Sequence, residues 1–308
     1  MGPEAVELAN VMGDALASIV NPAASVAFIP RKREESRTPE RLLVHYVAER
    51  ELADRIRAAA TPEERRAVFA TMYEELFRRV PDHPRLTQRA AKTAYRDRNV
   101  AWNMAQLKPY VKPGCHFLEV GAGDCALAAR VAGTAGQVYA VDISPQAQGE
   151  LPANVRCVIT DGRAIDVPEG SVDVAFSDQL MEHLHPEDAA AQLANIHRAL
   201  KPGGVYVCIT PNRLYGPSDI SAFFEDEARG FHLREYTLRE MRRIFADAGF
   251  PRAHAYVGAR GWFLRVPCAL VEALEWTLER LPVRLRRRVA DTQMLRAMLG
   301  LRVAAIKN

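Results

Sequence analysis

The chain has 308 residues, enough for one α/β domain of common size with additions. Its apolar fraction of 48% and charged fraction of 26% are those of a globular protein, and a formal net charge of +3 is too small to imply a polyanionic partner such as nucleic acid. No apolar stretch reaches bilayer-spanning length, so no stable membrane insertion is expected, and five cysteines without a Cys-x-x-Cys pair read as reduced thiols of a cytoplasmic protein.

Residues 1–37 have weak periodicity and read as a mobile N-terminal segment, with Ile29–Ser36 as a charged linker. A helical region follows over 38–95. Thr38-Pro39-Glu40 and Thr61-Pro62-Glu63-Glu64 both place a threonine N-cap before a proline at the first helical position, and Glu64 completes a capping box. The helix after Thr61 carries Val68, Phe69, Met72, Tyr73, Leu76 and Phe77 as an apolar stripe, with Arg65, Arg66, Glu74, Arg78 and Arg79 on the other side. Such a stripe packs on a neighbour, and the region also reads as a cap over a substrate mouth.

From residue 96 to 308 the pattern becomes strands alternating with helices. A buried strand, His116 to Val120, runs through Glu119 into Gly121-Ala122-Gly123 and then a helix from Ala126. Glycines at such a corner let the backbone approach a nucleotide. Gly121, Gly123 and Ala126 also satisfy a dinucleotide fingerprint. Glu119 decides between the two cofactor classes. A carboxylate beside this turn repels a pyrophosphate and attracts the cationic amino group and sulfonium of S-adenosylmethionine. Strand two, Gln137 to Asp142, ends in an acidic residue placed to accept hydrogen bonds from ribose hydroxyls, with Ile143 next. Strand three, Val155 to Thr160, ends in Asp161-Gly162; strand four, Val172 to Phe176, runs into Ser177-Asp178-Gln179-Leu180-Met181-Glu182-His183. A helix over 186–200, a Lys-Pro-Gly-Gly turn ending at Gly204 and strand five, Val205 to Thr210, complete the series. Cys157 and Cys208 fall inside strands as packing residues.

The Glu-x-Gly-x-Gly run and the pieces that follow it in order resemble the class I S-adenosylmethionine-dependent methyltransferases of the small-molecule type, from about Asn99 to Val257. The resemblance implies a Rossmann-like α/β fold, a seven-stranded mostly parallel sheet with helices on both faces. It also implies a cofactor site of Glu119, Gly121, Ala122, Gly123, Asp142, Ile143, Asp161, Gly162, Asp178 and Gln179. Asp161 would take the adenine amino group, and the N–H of Gly162 would reach the ring. The family's third glycine is Cys125 here.

A hydroxyl acceptor needs its proton removed, and the loop after strand four and the excursion Pro211–Tyr236 supply candidates. His183 or His232 is expected to act as general base, with Glu182 orienting it; His185 simply precedes a helix that starts at Pro186. Gln179-x-x-Glu182-His183 with a distant histidine resembles the divalent-metal site of small-RNA 2′-O-methyltransferases, and a similar pattern occurs in ubiquinone O-methyltransferases. Residues three and four apart would share a helix face here. Gln179 stands where that pattern has glutamate and is a poor ligand for a hard cation, so no metal is expected.

Beyond the excursion, Thr237-Leu-Arg-Glu240 is a second capping box, for a helix ending at Gly249. Ala253–Gly258 reads as strand six, Leu301–Ile306 as an antiparallel strand seven, and 264–297 as a helical insertion with an arginine cluster at 284–288. That insertion reads as a solvated face, a homodimer or lid element, or a surface for an anionic substrate. The expected function is methylation of a small molecule, at oxygen, in secondary or cell-envelope metabolism. The alternatives are methylation of RNA or protein, or a non-methylating cofactor binder of the same fold.

Overall fold

Two threonine caps set the helices that follow residue 35. Helix α1 (Pro39–Ala58) begins at Thr38, whose hydroxyl accepts from Arg41 N, with proline in its first turn. In α2 (Pro62–Arg79) the Thr61 hydroxyl accepts from Glu64 N, and the Glu64 carboxylate accepts from Thr61 N. Each arm satisfies an amide the helix leaves open. Thr61→Ala should therefore cost about 1 kcal/mol, read as a lower urea midpoint at unchanged slope.

The computed structural model describes residues 35–87, 89–143, 150–160, 164–259 and 261–308. They divide into two units: the residues up to Thr87 together with Pro217–His232, and those from 89 to Gly216 together with Leu233–Asn308. The linker reading at Ile29–Ser36 lies mostly outside the described residues, as do Asp161 and Gly162.

The first unit holds α1, α2, a short α3 (Pro84–Thr87) and a 3-10 turn at Ile220–Phe223. Leu42 and Tyr46 pack with Ile220, Phe223 and Phe224 in one buried cluster. The Tyr46 ring stacks on Phe224 at 4.9 Å, and its hydroxyl donates to Glu225 at 2.7 Å. Along α2, Met72 and Leu76 are buried as the stripe requires, while Val68, Phe69, Tyr73 and Phe77 are half-buried. Arg65 departs from its expected outer position. It is fully buried and donates to the Ala59 carbonyl at 3.3 Å, satisfying a free carbonyl past the end of α1.

The second unit is built on α4 (Arg89–Leu107), β1 (His116–Val120), α5 (Ala126–Val131), β2 (Gln137–Asp142), β3 (Val155–Ile159) and β4 (Val172–Asp178). It continues with α6 (Pro186–Ala199), β5 (Leu200–Thr210), α7 (Leu238–Asp247), β6 (Arg252–Ala259), β7 (Trp262–Val266), α8 (Cys268–Glu279), α9 (Val283–Ala290), α10 (Gln293–Leu299) and β8 (Leu301–Ile306). The strands form one sheet in the order β3-β2-β1-β4-β5-β8-β6-β7. Strands β1 to β5 are parallel, and the closing strand β8 is antiparallel to both β5 and β6.

The sheet has eight strands where seven were expected. The addition is β7, a hairpin partner of β6, so residues 264–266 are strand and the helical insertion begins at Cys268. Lys201-Pro-Gly-Gly204 lies within β5 as an irregularity, because the register to β4 shifts between Val172 and Val174. Capping at α7 follows the sequence: Thr237 and Glu240 exchange hydrogen bonds, and Gly249 takes φ +95° beyond the end. Alternate strand residues feed two cores. Leu118, Ala175, Cys208 and Val303 pack with Leu193 of α6 and Phe245 of α7. Phe117, Phe176, Val207 and Ala304 pack on the other face with Leu127 of α5 and Leu107 of α4. Cys208 is buried as expected, whereas Cys157 is exposed on β3, which lies at the edge of the sheet.

Candidate active site

The parallel strands β1, β2, β4 and β5 deliver Glu119, Asp142, Asp178 and Thr210 to one edge of the sheet, the edge where open α/β folds bind ligands. At β1 the chain turns sharply. Gly121 and Gly123 have φ of +78° and +50°, and a Cβ at Gly123 would meet nothing within 4 Å, so the backbone there is open to close approach. The amides of Gly121 and Ala122 both donate to the Val141 carbonyl, and Gly123 N donates to Asp142 Oδ2 at 2.8 Å. Asp142 thus ties the end of β2 to the turn. Ile143, next along, is exposed. Cys125, in the place of a third glycine, is held at φ +59°, a left-handed conformation that glycine adopts without strain.

Glu119 is 7% exposed, and its Oε2 has no hydrogen-bond partner in the protein. Burial pushes its carboxyl well above the ordinary range, with Asp178, Asp124 and Asp142 adding to the rise and the Ala128 N–H opposing it. A buried carboxylate among three others is costly unless a cation joins it.

At the end of β4, Asp178 Oδ2 accepts from the side-chain amides of Asn99 and Asn103, each at 2.9 Å. These two α4 residues were not singled out in the sequence. The available signal was a pair of weak helix formers four apart, on one helix face. Arg96, on the same helix, pairs with Asp124 at 3.8 Å. Gln179 sits at φ +53° with its N–H on the Ile209 carbonyl. It therefore precedes a 3-10 turn at Met181–His183 and does not share a helix face with Glu182 and His183, contrary to expectation. Glu182 is fully buried; its Oε2 accepts from the Thr210 hydroxyl at 2.8 Å and its carbonyl from Arg234 N. His183 is half-buried. His185 caps α6, whose first residue is Pro186, as the sequence indicated. His232 belongs to the first unit, where its amide donates to Asp219 and its carbonyl accepts from Arg57.

In that first unit His45, Glu49 and His83 bring potential ligand atoms within 4.8 Å of one another. Arg37 donates to His45 Nδ1 at 2.9 Å and Arg85 N to His83 Nδ1 at 3.1 Å, so both Nδ1 lone pairs are occupied. His45 Nε2 then carries its proton to Glu49 at 2.8 Å. The trio is a hydrogen-bonded network in which both imidazole Nδ1 atoms already accept donors.

Residues 118–208 match the family model described as a methyltransferase domain. The chain carries a methyltransferase domain, in line with its resemblance to the class I S-adenosylmethionine-dependent methyltransferases. A probable S-adenosylmethionine-dependent methyltransferase of Mycolicibacterium smegmatis is 31% identical over 140 residues, 44% of this chain and 52% of that protein. An uncharacterized methyltransferase of Synechocystis is 26% identical over 159 residues, 48% of this chain and 73% of that protein. The chain thus spans about half the length of the mycobacterial relative. Among solved structures, 1,6-didemethyltoxoflavin-N1-methyltransferase of Burkholderia thailandensis has 19% identity and a TM-score of 0.45 over 81% of this chain and 92% of that one. The residues present fit S-adenosylmethionine as the cofactor of this methyltransferase domain. Glu119 offers an unpartnered buried carboxylate oxygen for a cationic amino group, and the open turn at Gly123 admits a ligand against the backbone.

Proposed function

We propose that this methyltransferase acts on a hydroxyl of a small-molecule acceptor, with His183 as the general base. The observation that supports the reading is the placement of a half-buried histidine just beyond Asp178, on the sheet edge that also carries Glu119. When bound, the cofactor supplies an activated methyl group, so the protein has two tasks: alignment and proton removal. Glu119 would hold the ammonium, and Asp142 would take the ribose hydroxyls. Asp178, fixed by Asn99 and Asn103, keeps one oxygen's geometry constant at the floor of the site. His183 would accept the proton of the acceptor hydroxyl, freeing that oxygen to take the methyl group that the bound cofactor would supply. Glu182, clamped by Thr210, fixes the short turn on which His183 stands. Transfer at oxygen needs such a base, whereas a neutral amine acceptor does not need one to attack.

His183→Ala should lower turnover by about 10²–10⁴-fold while leaving S-adenosylhomocysteine affinity within about twofold. The measurement is methyl transfer from radiolabelled cofactor into an organic extract of candidate acceptors, compared with His232→Ala. Unchanged turnover in His183→Ala removes this histidine from the chemistry. Label appearing in RNA or protein instead of the extract replaces the small-molecule acceptor.

A further inference from the structure

The closing strand brings a half-buried arginine to the same sheet edge. Because β8 runs antiparallel to β5, its first residues lie beside the last residues of the parallel strands. Asp178 pairs with Ile209, and Ile209 pairs with Arg302. Residues in one such row point to the same face of the sheet, and two strand spacings place the Cα atoms of Asp178 and Arg302 about 10 Å apart. Ile209 lies between them as an apolar floor.

Arg302 has no counter-ion among the described residues, and its buried Nη1 has no hydrogen-bond partner there. Its guanidinium lies 5.5 Å from the Phe263 ring centroid, a contact that accepts no hydrogen bond. A Cβ on Gly300 would stand 2.6 Å from Nη1, so the missing side chain at the end of α10 is what leaves the guanidinium its place. Burial lowers the pKa of Arg302, with Tyr215 and Asp178 the nearby groups that oppose the shift. Arginine stays charged in proteins, so it meets burial by finding an anion and not by losing its proton. Arg296 shows the contrast, since it stacks on Tyr215 and pairs with Asp291 at 3.3 Å, which uses its charge.

Resting on the methyltransferase reading above, we infer that Arg302 is the acceptor's anion receptor: the small molecule methylated here carries a carboxylate or phosphate that the guanidinium binds across the row from Asp178. Arginine suits this task because its planar donors match both oxyanions in a two-pronged contact. The row geometry also separates the charges. Asp178 and Glu119 hold the cationic cofactor side, and Arg302 holds the anionic acceptor side, so one edge sorts two ligands of opposite sign.

The test uses the full chain, with inorganic phosphate and acetate as probes. The protein, loaded with S-adenosylhomocysteine, is titrated with each salt at constant ionic strength while the arginine side-chain Nε–H resonances are followed. Saturable binding of at least one anion is expected, weakened at least tenfold in Arg302→Met, partly retained in Arg302→Lys, and weakened in Gly300→Ala, where the new methyl displaces the guanidinium. Absence of saturable binding in the wild type, or equal binding in Arg302→Met, overturns the inference. The loading step separates the two readings: protein that takes up no S-adenosylhomocysteine refutes the cofactor site, and the same titration on the unloaded chain still decides the role of Arg302.

Discussion

Glu119→Gln is expected to weaken S-adenosylhomocysteine binding about 100-fold and, at neutral pH, to stabilise the ligand-free protein. Both effects have one cause. The wild-type carboxylate is buried, its Oε2 has no partner, and Asp178, Asp124 and Asp142 raise its affinity for a proton further. A charge-assisted hydrogen bond to an ammonium is worth about 1.5–3 kcal/mol, and loss at the upper end of that range corresponds to roughly two decades in affinity. Glutamine keeps the shape and loses the charge. The pH dependence carries a definite sign. A carboxyl whose folded pKa lies above its unfolded value contributes stability below the unfolded value, and that contribution is lost as pH rises through the folded one. Wild-type melting temperature, taken without ligand, should therefore fall relative to Glu119→Gln as pH rises above the ordinary carboxylate range. Below the folded pKa, wild-type affinity for the cofactor product should rise with pH, approaching tenfold per unit, because the ammonium needs the ionised carboxylate. The glutamine variant should show no such slope. Calorimetric titration at several pH values reads the affinity and thermal unfolding reads the stability; wild-type affinity in Glu119→Gln would remove the ion pair from the account.

What the sequence revealed and what it hid divide along the range of the interactions involved. The turn at Gly121 to Gly123, the two capping boxes and the proline start of α6 are local devices, each complete within a few residues, and each stands where the pattern placed it. Strand β7 was hidden because Trp262 and Leu264 are exposed and only Phe263 and Val266 are half-buried, so its apolar residues do not alternate as a half-buried strand should. A strand of this kind is defined by its partner β6, which is visible only in three dimensions. Arg65 was misread for a related reason: a charged residue on a helix is assigned to solvent unless a distant carbonyl claims it, and Ala59 does. The Asp178 grip by Asn99 and Asn103 joins residues 75 and 79 positions apart, a distance over which a single sequence carries no pairing information. The association of Pro217–His232 with the first helices, through Tyr46, Phe224 and Glu225, is longer still. Chemistry concentrated in a continuous motif was therefore legible, and chemistry assembled from separate strands and helices was not.

Asn212→Ala should be among the most destabilising single substitutions in the sheet-bearing unit, at about 3–5 kcal/mol, since each buried group left unsatisfied costs about 1–3 kcal/mol. Asn212 is fully buried just past β5. Its side-chain amide donates to Glu275 Oε1 at 2.7 Å and to the Leu299 carbonyl at 3.0 Å, while its own carbonyl accepts from Leu214 N at 3.0 Å. Glu275 Oε1 also accepts from Leu238 N at 2.8 Å, so one asparagine and one glutamate join the end of β5, the start of α7, the middle of α8 and the end of α10. Burial already raises the Glu275 carboxyl above its ordinary value, and the donors from Leu238 and Asn212 oppose that rise. Alanine removes one of those donors and strands a buried carbonyl and a buried amide as well. For a unit of this size the loss should appear as a melting temperature lower by roughly 10 °C. The deficit must depend on pH in a stated direction. With the Asn212 donor gone, the folded pKa of Glu275 rises further, and stability contributed by the neutral acid is lost as pH climbs through that value. Asn212→Ala should therefore be less harmful at acid pH, where Glu275 is neutral, than at pH 8. Adding Glu275→Gln should recover part of the loss at pH 8, because the neutral amide removes the buried charge. Urea unfolding of the single and double variants at both pH values measures this coupling, and a deficit independent of pH would place the cost in the Leu299 and Leu214 contacts instead of the carboxylate.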